Sequence, residues 1–486
     1  MSRVVVIGAG VGGLAAAARL AAAGHEVTVC EAQQVVGGKL GTYERDGFRF
    51  DTGPSLVTMP FVFRDLFEDT GGWPSSLSLE PLDPIARYRF ADGTALDTTG
   101  GLDDFCGRLD AALGAGNGDD WRRLMAHAAR VWDATRGPFL ESPLHGPSSM
   151  LRLALRQPRD IATIAPGRTL RGLGRKHLRD PRLRTFLDRY ATYSGSDPRR
   201  APAALVVVPY VEQAYGGWYV AGGLGQLAEA LHERTLERGA LVLLGARVTR
   251  ISVSGGRADG VVLADGRHLP ADVGVANVDA AKVYGALVDA PAAARLDRAT
   301  PSSSGFVLLL AVRGRTPGLA HHNVLFPRAY DDEFDALFGR TPRPVPDPTL
   351  YISAPRDPCL HPEGHESWFV LVNAPRHGQV DWRAPGLADR YANLLLERLA
   401  ERGLPVRDRV LWSHVLTPAD LEERTGAVGG AIYGTSSNGV AAAFLRPANR
   451  SPVRGLFLVG GSSHPGGGLP LVTLSARIVS DLVGPA

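Results

Sequence analysis

Three glycines near the start of the chain, Gly8, Gly10 and Gly13 in VIGAGVGG, have G-x-G-x-x-G spacing, and a carboxylate, Glu31, follows about eighteen residues after the last. This set suits a dinucleotide. Gly8 makes a tight turn, Gly10 lets the backbone approach a pyrophosphate, and Gly13 lets a helix pack on a strand. Gly12 shares the loop. Glu31 can accept hydrogen bonds from ribose hydroxyls, and its charge speaks against a 2′-phosphate. A second cluster lies at residues 460–470, GGSSHPGGGLP, where His464 is the one titratable side chain. Glycines at that density mark either a flexible linker or a close backbone approach.

The flanking residues decide between these. VVVI before Gly8 reads as a buried strand, AAAARLAAA after Gly13 as a helix closed by Gly24, and EVTVC before Glu31 as a second strand. LFLVG precedes the second glycine cluster and LVTLSARIVSDLV follows it, apolar at helical spacing. Both clusters are therefore strand–loop–helix junctions. Pro470 suits the first helical position, and a helix starting there aims its free N–H groups, with their partial positive charge, back at the loop.

The chain has 486 residues with 44% apolar and 21% charged side chains, which predicts an ordered protein of two domains or one with large insertions. The net charge of +3 gives no support for nucleic acid. Cys30, Cys106 and Cys359 are isolated thiols without metal spacing, as in a reducing compartment. His321 and His322 are adjacent without a third ligand in view, so no metal is expected. No apolar run approaches the roughly twenty residues of a membrane span, and no signal peptide precedes the first strand. The expectation is a cytoplasmic protein, alone or held on the cytosolic face of a membrane.

The residues after Glu31 narrow the choice of dinucleotide. VVGGKLGTYERDGFRFDTGPSLVT carries Gly37, Gly38 and Lys39 where two-dinucleotide-binding-domain flavoproteins wrap FAD, and turn glycines alone do not predict FDTGPS. With RYATYSGSDPRRAPAAL and VEQAYGGWYVAGGLGQLAEAL (189–231), HHNVLFPRAYDDEFDALF and PEGHESWFVLVNAP (321–375), and GGAIYG, FLRPANRS and LFLVGGSSHPGGGLPLVTLSAR (429–477), the chain resembles the phytoene desaturase family of FAD-dependent carotenoid oxidoreductases. RYATYSGSDP and PYVEQAYGGWYV are more like the hydroxyneurosporene dehydrogenase subgroup. Lys39 stands where Arg is commoner, and Lys cannot make a bidentate phosphate contact. Ser463 replaces a common Thr.

The resemblance implies an α/β fold: a Rossmann-type FAD-binding domain assembled from residues 1–75, 211–284 and 426–486, with an inserted α+β substrate domain from 76–210 and 285–425. It implies FAD contacts from Gly53, Pro54 and Ser55 and an adenine contact at Val248. At the second glycine loop, Gly460 and Gly461 would let the backbone approach FAD, with Leu471 and Val472 presenting donors beyond Pro470. The activity implied is insertion of C=C bonds into a lipophilic polyene, with hydride transfer to flavin N5. A saturase, an isomerase, or an oxidase of an amine or other natural product uses the same scaffold. For the proton, His464 can either do acid–base work or only shape its loop. Asp51 reads as a loop-fixing carboxylate, and Glu212 as either a channel-lining group or half of a buried ion pair.

One segment stands apart. Residues 151–190 hold ten Arg and one Lys against three Asp, interleaved with Leu, Ile and Phe. Such a run is either a solvated helical face or a membrane-contacting surface with apolar side chains in the acyl boundary and Arg on anionic headgroups.

Overall fold

Five short apolar runs make a parallel sheet. In the computed structural model, which describes residues 1–144, 158–288, 296, 299–439, 442 and 446–486, these are β1 (Arg3–Ile7), β2 (Glu26–Cys30), β3 (Leu241–Leu243), β4 (Val273–Ala276) and β5 (Leu456–Leu458). Their spatial order is β5-β4-β1-β2-β3, and every neighbouring pair is parallel. Val4, Val6, Val29 and Val275 are buried, because helices or loops cover both faces. Strand order reverses at β1, so a ligand crevice is expected at its carboxyl end.

The helix α1 (Val11–Ala22) leaves β1 through the first glycine loop, and Ala15 to Ala18 are fully buried. Alanine allows this close approach. At Gly13 even a methyl group would collide with the Gly8 carbonyl oxygen, which is why the third glycine of the motif is needed. The C-terminal helix, Leu469–Val483, packs beside α1. It begins one residue earlier than expected, with Gly468 as N-cap and Pro470 in second place.

A second sheet of seven strands is mixed: Val410–Leu416, Ser304–Arg313, His365–Ala374, Leu350–Ser353, His322–Leu325, Ala86–Arg89 and Ala95–Thr98 in spatial order. Helices including Asn117–Thr135, Leu170–His177, Pro181–Arg189 and Val207–Tyr215 surround a core containing Trp121, Phe105, Phe186 and Tyr190.

The Arg-rich segment falls partly outside the described residues, at 151–157. In the part that is described, Leu170, Leu173, Leu183, Phe186 and Leu187 point inward and are buried. Their apolar stripe therefore packs against the protein instead of an acyl boundary, which corrects that part of the membrane reading for residues 170–189. Three of the six arginines there are paired with aspartates. Arg171 bridges Asp188 at 2.8 Å and Asp331 at 2.6 Å, Arg179 meets Asp120 at 2.9 Å, and Arg182 meets Asp180 at 2.7 Å and Asp92 at 3.3 Å. Three of these acids lie far away in sequence. Among the described residues no helix is long and apolar enough to cross a membrane.

Candidate active site

A cavity of about 480 Å³ runs from the carboxyl ends of β1 and β2 to the seven-stranded sheet. At one end its walls are Gly8, Gly10 and Gly12 of the first glycine loop, Glu31, Arg247 and Val248. The Glu31 carboxylate is buried and accepts from Ala9 N at 2.6 Å and Gln33 N at 2.8 Å, which holds it at the tip of β2. Asn277, just beyond β4, accepts through its amide oxygen from Gly10 N and Gly13 N, each at 3.2 Å. This side chain locks the glycine loop to the neighbouring strand.

The middle of the cavity is formed by Gly38, Lys39, Gly53, Pro54, Ser55, Gly461, Pro470 and Val472. Lys39 Nζ donates to Ile432 O at 2.6 Å and Ala431 O at 3.1 Å, and burial lowers its pKa against the pull of Asp279. The ammonium thus ties the 37–39 loop to residues 431–432. Arg446 does the same nearby: it is buried, donates to Gly461 O at 2.7 Å, Tyr433 O at 3.1 Å and Thr435 O at 2.8 Å, and burial brings its pKa down to about 10. Two helix N-termini, those of α1 and the C-terminal helix, face this space. Both favour negative charge there.

The far end is a chamber with apolar walls, including Ile85, Val208, Val211, Val307, Phe369 and Leu371. Polar groups interrupt those walls, among them Arg189, Tyr193, Glu212, His322 and Tyr351. Glu212, on the helix Val207–Tyr215, is 5% exposed and accepts from Tyr190 OH at 2.7 Å. Burial pushes its carboxyl up to about 7, and the Tyr190 hydrogen bond and the Arg189 charge offset only part of that rise. Arg189 lies over Tyr193, 5.4 Å from the ring centroid, and no ion pair joins it to Glu212 among the described residues. Ser55 Oγ contacts Tyr351 OH, which lies 2.8 Å from His322 Nδ1. Burial, with His321 beside it, drives the His322 pKa well below its usual value, so the ring is neutral.

Of the residues singled out from sequence, Gly13, Gly460, Leu471 and His464 are not among the described residues lining the cavity. Gly13 and Gly460 stand behind the wall: Gly460 has φ +109°, and a Cβ there would lie 2.6 Å from the Asn277 amide. Leu471 packs with Met59, Val62 and Trp132. Val472 N donates to Gly468 O at 2.9 Å, so this expected donor is already engaged. The His464 ring is buried with Nε2 2.9 Å from Ser142 O, and its carbonyl accepts from Asn449 Nδ2 and Ser475 Oγ, each at 2.8 Å. Asp51 accepts from Leu224 N at 2.8 Å and Gly225 N at 2.9 Å, holding the start of the helix Gly225–Glu237.

The profile of the family described as flavin containing amine oxidoreductase matches residues 11–484. The chain belongs to that family. The hydroxyneurosporene desaturase of Cereibacter sphaeroides is 37% identical over 490 residues, covering 99% of this chain and 97% of that protein. The 4,4'-diapolycopene oxygenase of Methylomonas sp. is 34% identical over 99% of this chain and 98% of its own length. A solved structure of putrescine oxidase bound to putrescine superposes with a TM-score of 0.66 at 16% identity, covering 99% of each chain, which speaks to the fold alone. The resemblance expected from the motifs is borne out, as are the α/β fold and FAD as cofactor.

The flavoenzyme's cradle fits FAD. Gly8, Gly10 and Gly12 offer backbone where a side chain would intrude, two helix ends would face the pyrophosphate, and Glu31 and Val248 would hold the adenosine end. Sequence reasoning missed Asn277, Tyr351, Arg189 and Arg446. Asn277 carried a usable signal, since it directly follows the strand Val273–Ala276, and open α/β sheets bind ligands beyond strand carboxyl ends.

Proposed function

We propose that this flavoenzyme desaturates a lipophilic polyene of the carotenoid class, removing a hydride and a proton from adjacent carbons to leave a new C=C bond. The observation that carries the reading is the continuity of the cavity, from a dinucleotide cradle into an apolar chamber with a single carboxylate on its described walls there, Glu212. The full-length similarity to a hydroxyneurosporene desaturase supports the substrate class. Bound FAD supplies the hydride acceptor. The chain's own part is to align the polyene, exclude water and receive the proton. In this reading Glu212 Oε2 takes the proton while Tyr190 holds Oε1, and a carboxyl titrating near 7 is matched to that work. His464 shapes its loop.

Residues 1–75, 211–284 and 426–486 would form the FAD domain, and the remaining segments the substrate domain. All seven strands of the mixed sheet lie within those inserted segments, which supports the division. A lipophilic substrate and unpaired thiols are in keeping with work at a cytoplasmic membrane face. A second reading, oxygenation at a polyene end, draws on the 34% identity to the Methylomonas sp. oxygenase.

The test is incubation of the FAD-loaded protein with liposomal polyenes that differ in saturation and end group, followed by chromatography and mass analysis. Desaturation appears as loss of two hydrogens, oxygenation as gain of oxygen. Turnover of an amine with every polyene left intact would sink the substrate assignment.

A further inference from the structure

Beside the described part of the Arg-rich segment, three cations without a carboxylate meet in one place. Arg168 and Lys176, together with Arg130 from the helix Asn117–Thr135, line a second pocket with His127 and His177. Among the described residues none of the three cations makes an ion pair or a carboxylate hydrogen bond, and no acid lines the pocket. Their neighbours show the contrast: Arg171, Arg179 and Arg182 are each matched to aspartates. The two imidazoles stack with centroids 5.8 Å apart and planes 12° from parallel. Three like charges gathered around two stacked rings repel one another unless an anion joins them.

We propose that this pocket binds a phosphate-type oxyanion, with Arg130, Arg168 and Lys176 supplying the charge and His127 and His177 the ring N–H donors. A tetrahedral dianion offers enough acceptor oxygens for five donors arriving from three chain segments. The same chemistry is carried by free phosphate and by a phospholipid headgroup. The groups facing the rings set the pH response. Burial, His177, Arg130, Lys176 and Arg168 hold the His127 pKa down, while burial, Lys176, Arg123 and Arg168 do so for His177, opposed by Asp120. Asp120 is itself bonded by Arg179 and Arg123. A bound anion favours the imidazolium, so both histidines titrate higher with anion present, and binding tightens as pH falls.

The experiment uses the FAD-loaded full chain, with bound-flavin absorbance confirming that each variant is folded. Inorganic phosphate is titrated calorimetrically into the wild type and into the R130Q/R168Q/K176Q variant. In parallel, both are sedimented with phosphatidylcholine vesicles with and without about 30% phosphatidylglycerol. The expected result is a loss on the order of a hundredfold in anion affinity in the variant, from three exposed cations each contributing about a factor of five. Binding of inorganic phosphate identifies a soluble anion, and binding to anionic vesicles alone identifies a headgroup. Either one supports the site. A histidine NMR titration of the wild type with inorganic phosphate, or with the anionic vesicles where they alone bind, needs no variant and should raise two imidazole pKa values. Equal binding by wild type and variant, no binding of either probe, or unmoved imidazoles would overturn the proposal.

Discussion

Replacing Glu212 by Gln tests both the proton-accepting role and the electrostatics behind it. The change keeps side-chain size and leaves an amide oxygen for Tyr190 OH, so packing is preserved. The carboxyl titrates ordinarily near 4.5 and in the folded enzyme near 7, chiefly because it is buried. Between those values the native state holds the proton that the unfolded chain has lost. Stability therefore declines as pH rises from about 4.5 to about 7 and is level beyond. At about 1.4 kcal/mol per pH unit the whole decline is about 3 kcal/mol, and about 2–3 kcal/mol of it falls between about pH 5 and about pH 8. Gln cannot ionise, so the variant should gain that much on the wild type over this interval, read from urea unfolding of the FAD-loaded proteins. Product formation should drop by about 10²–10⁴-fold with the flavin still bound, and the wild-type rate should climb through about pH 7 as the carboxylate forms. A variant with near-normal turnover and an unchanged pH profile would refute the role, and an unchanged stability difference would refute the buried carboxyl.

His464→Ala should keep FAD and most of its turnover while losing about 1–2 kcal/mol of stability, because the ring bonds Ser142 and does not line the cavity; turnover lost at full stability would restore His464 to the chemistry. Gly461→Val should fold but purify without flavin: a Cβ there meets the protein only at 3.4 Å, from Gly467, yet Gly461 is on the cavity wall. The ratio of flavin to protein absorbance reads this directly, and a yellow, fully loaded variant would contradict the placement of FAD.

The features legible in the sequence are those decided within about thirty residues of one another. The first glycine loop, the alanine helix behind it and the acid at the tip of the next strand obey local steric rules, and so does the strand before the second glycine cluster. What escaped depends on partners brought from afar. His464 sits in a glycine loop at the expected junction, but its ring is claimed by Ser142, 322 positions away. The arginines of 170–189 looked unmatched because Asp120, Asp331 and Asp92 are contributed by other segments. Lys39, expected at a phosphate, bonds two carbonyls near residue 431, which local pattern cannot reveal.

The parallel sheet begins with residues 3–7 and is closed at one edge by residues 456–458, with the helix Leu469–Val483 laid against α1. At about 5–20 residues per second, the ribosome takes tens of seconds to travel between those two strands. Throughout that interval the glycine loop has neither its opposite wall at Gly461 nor the second helix end at Pro470, so a nascent chain has no finished place for the nucleotide. On the proposed placement of FAD, loading therefore waits until residues 456–483 have been made. The half-built sheet meanwhile presents unpaired strand edges through which it can pair with other chains.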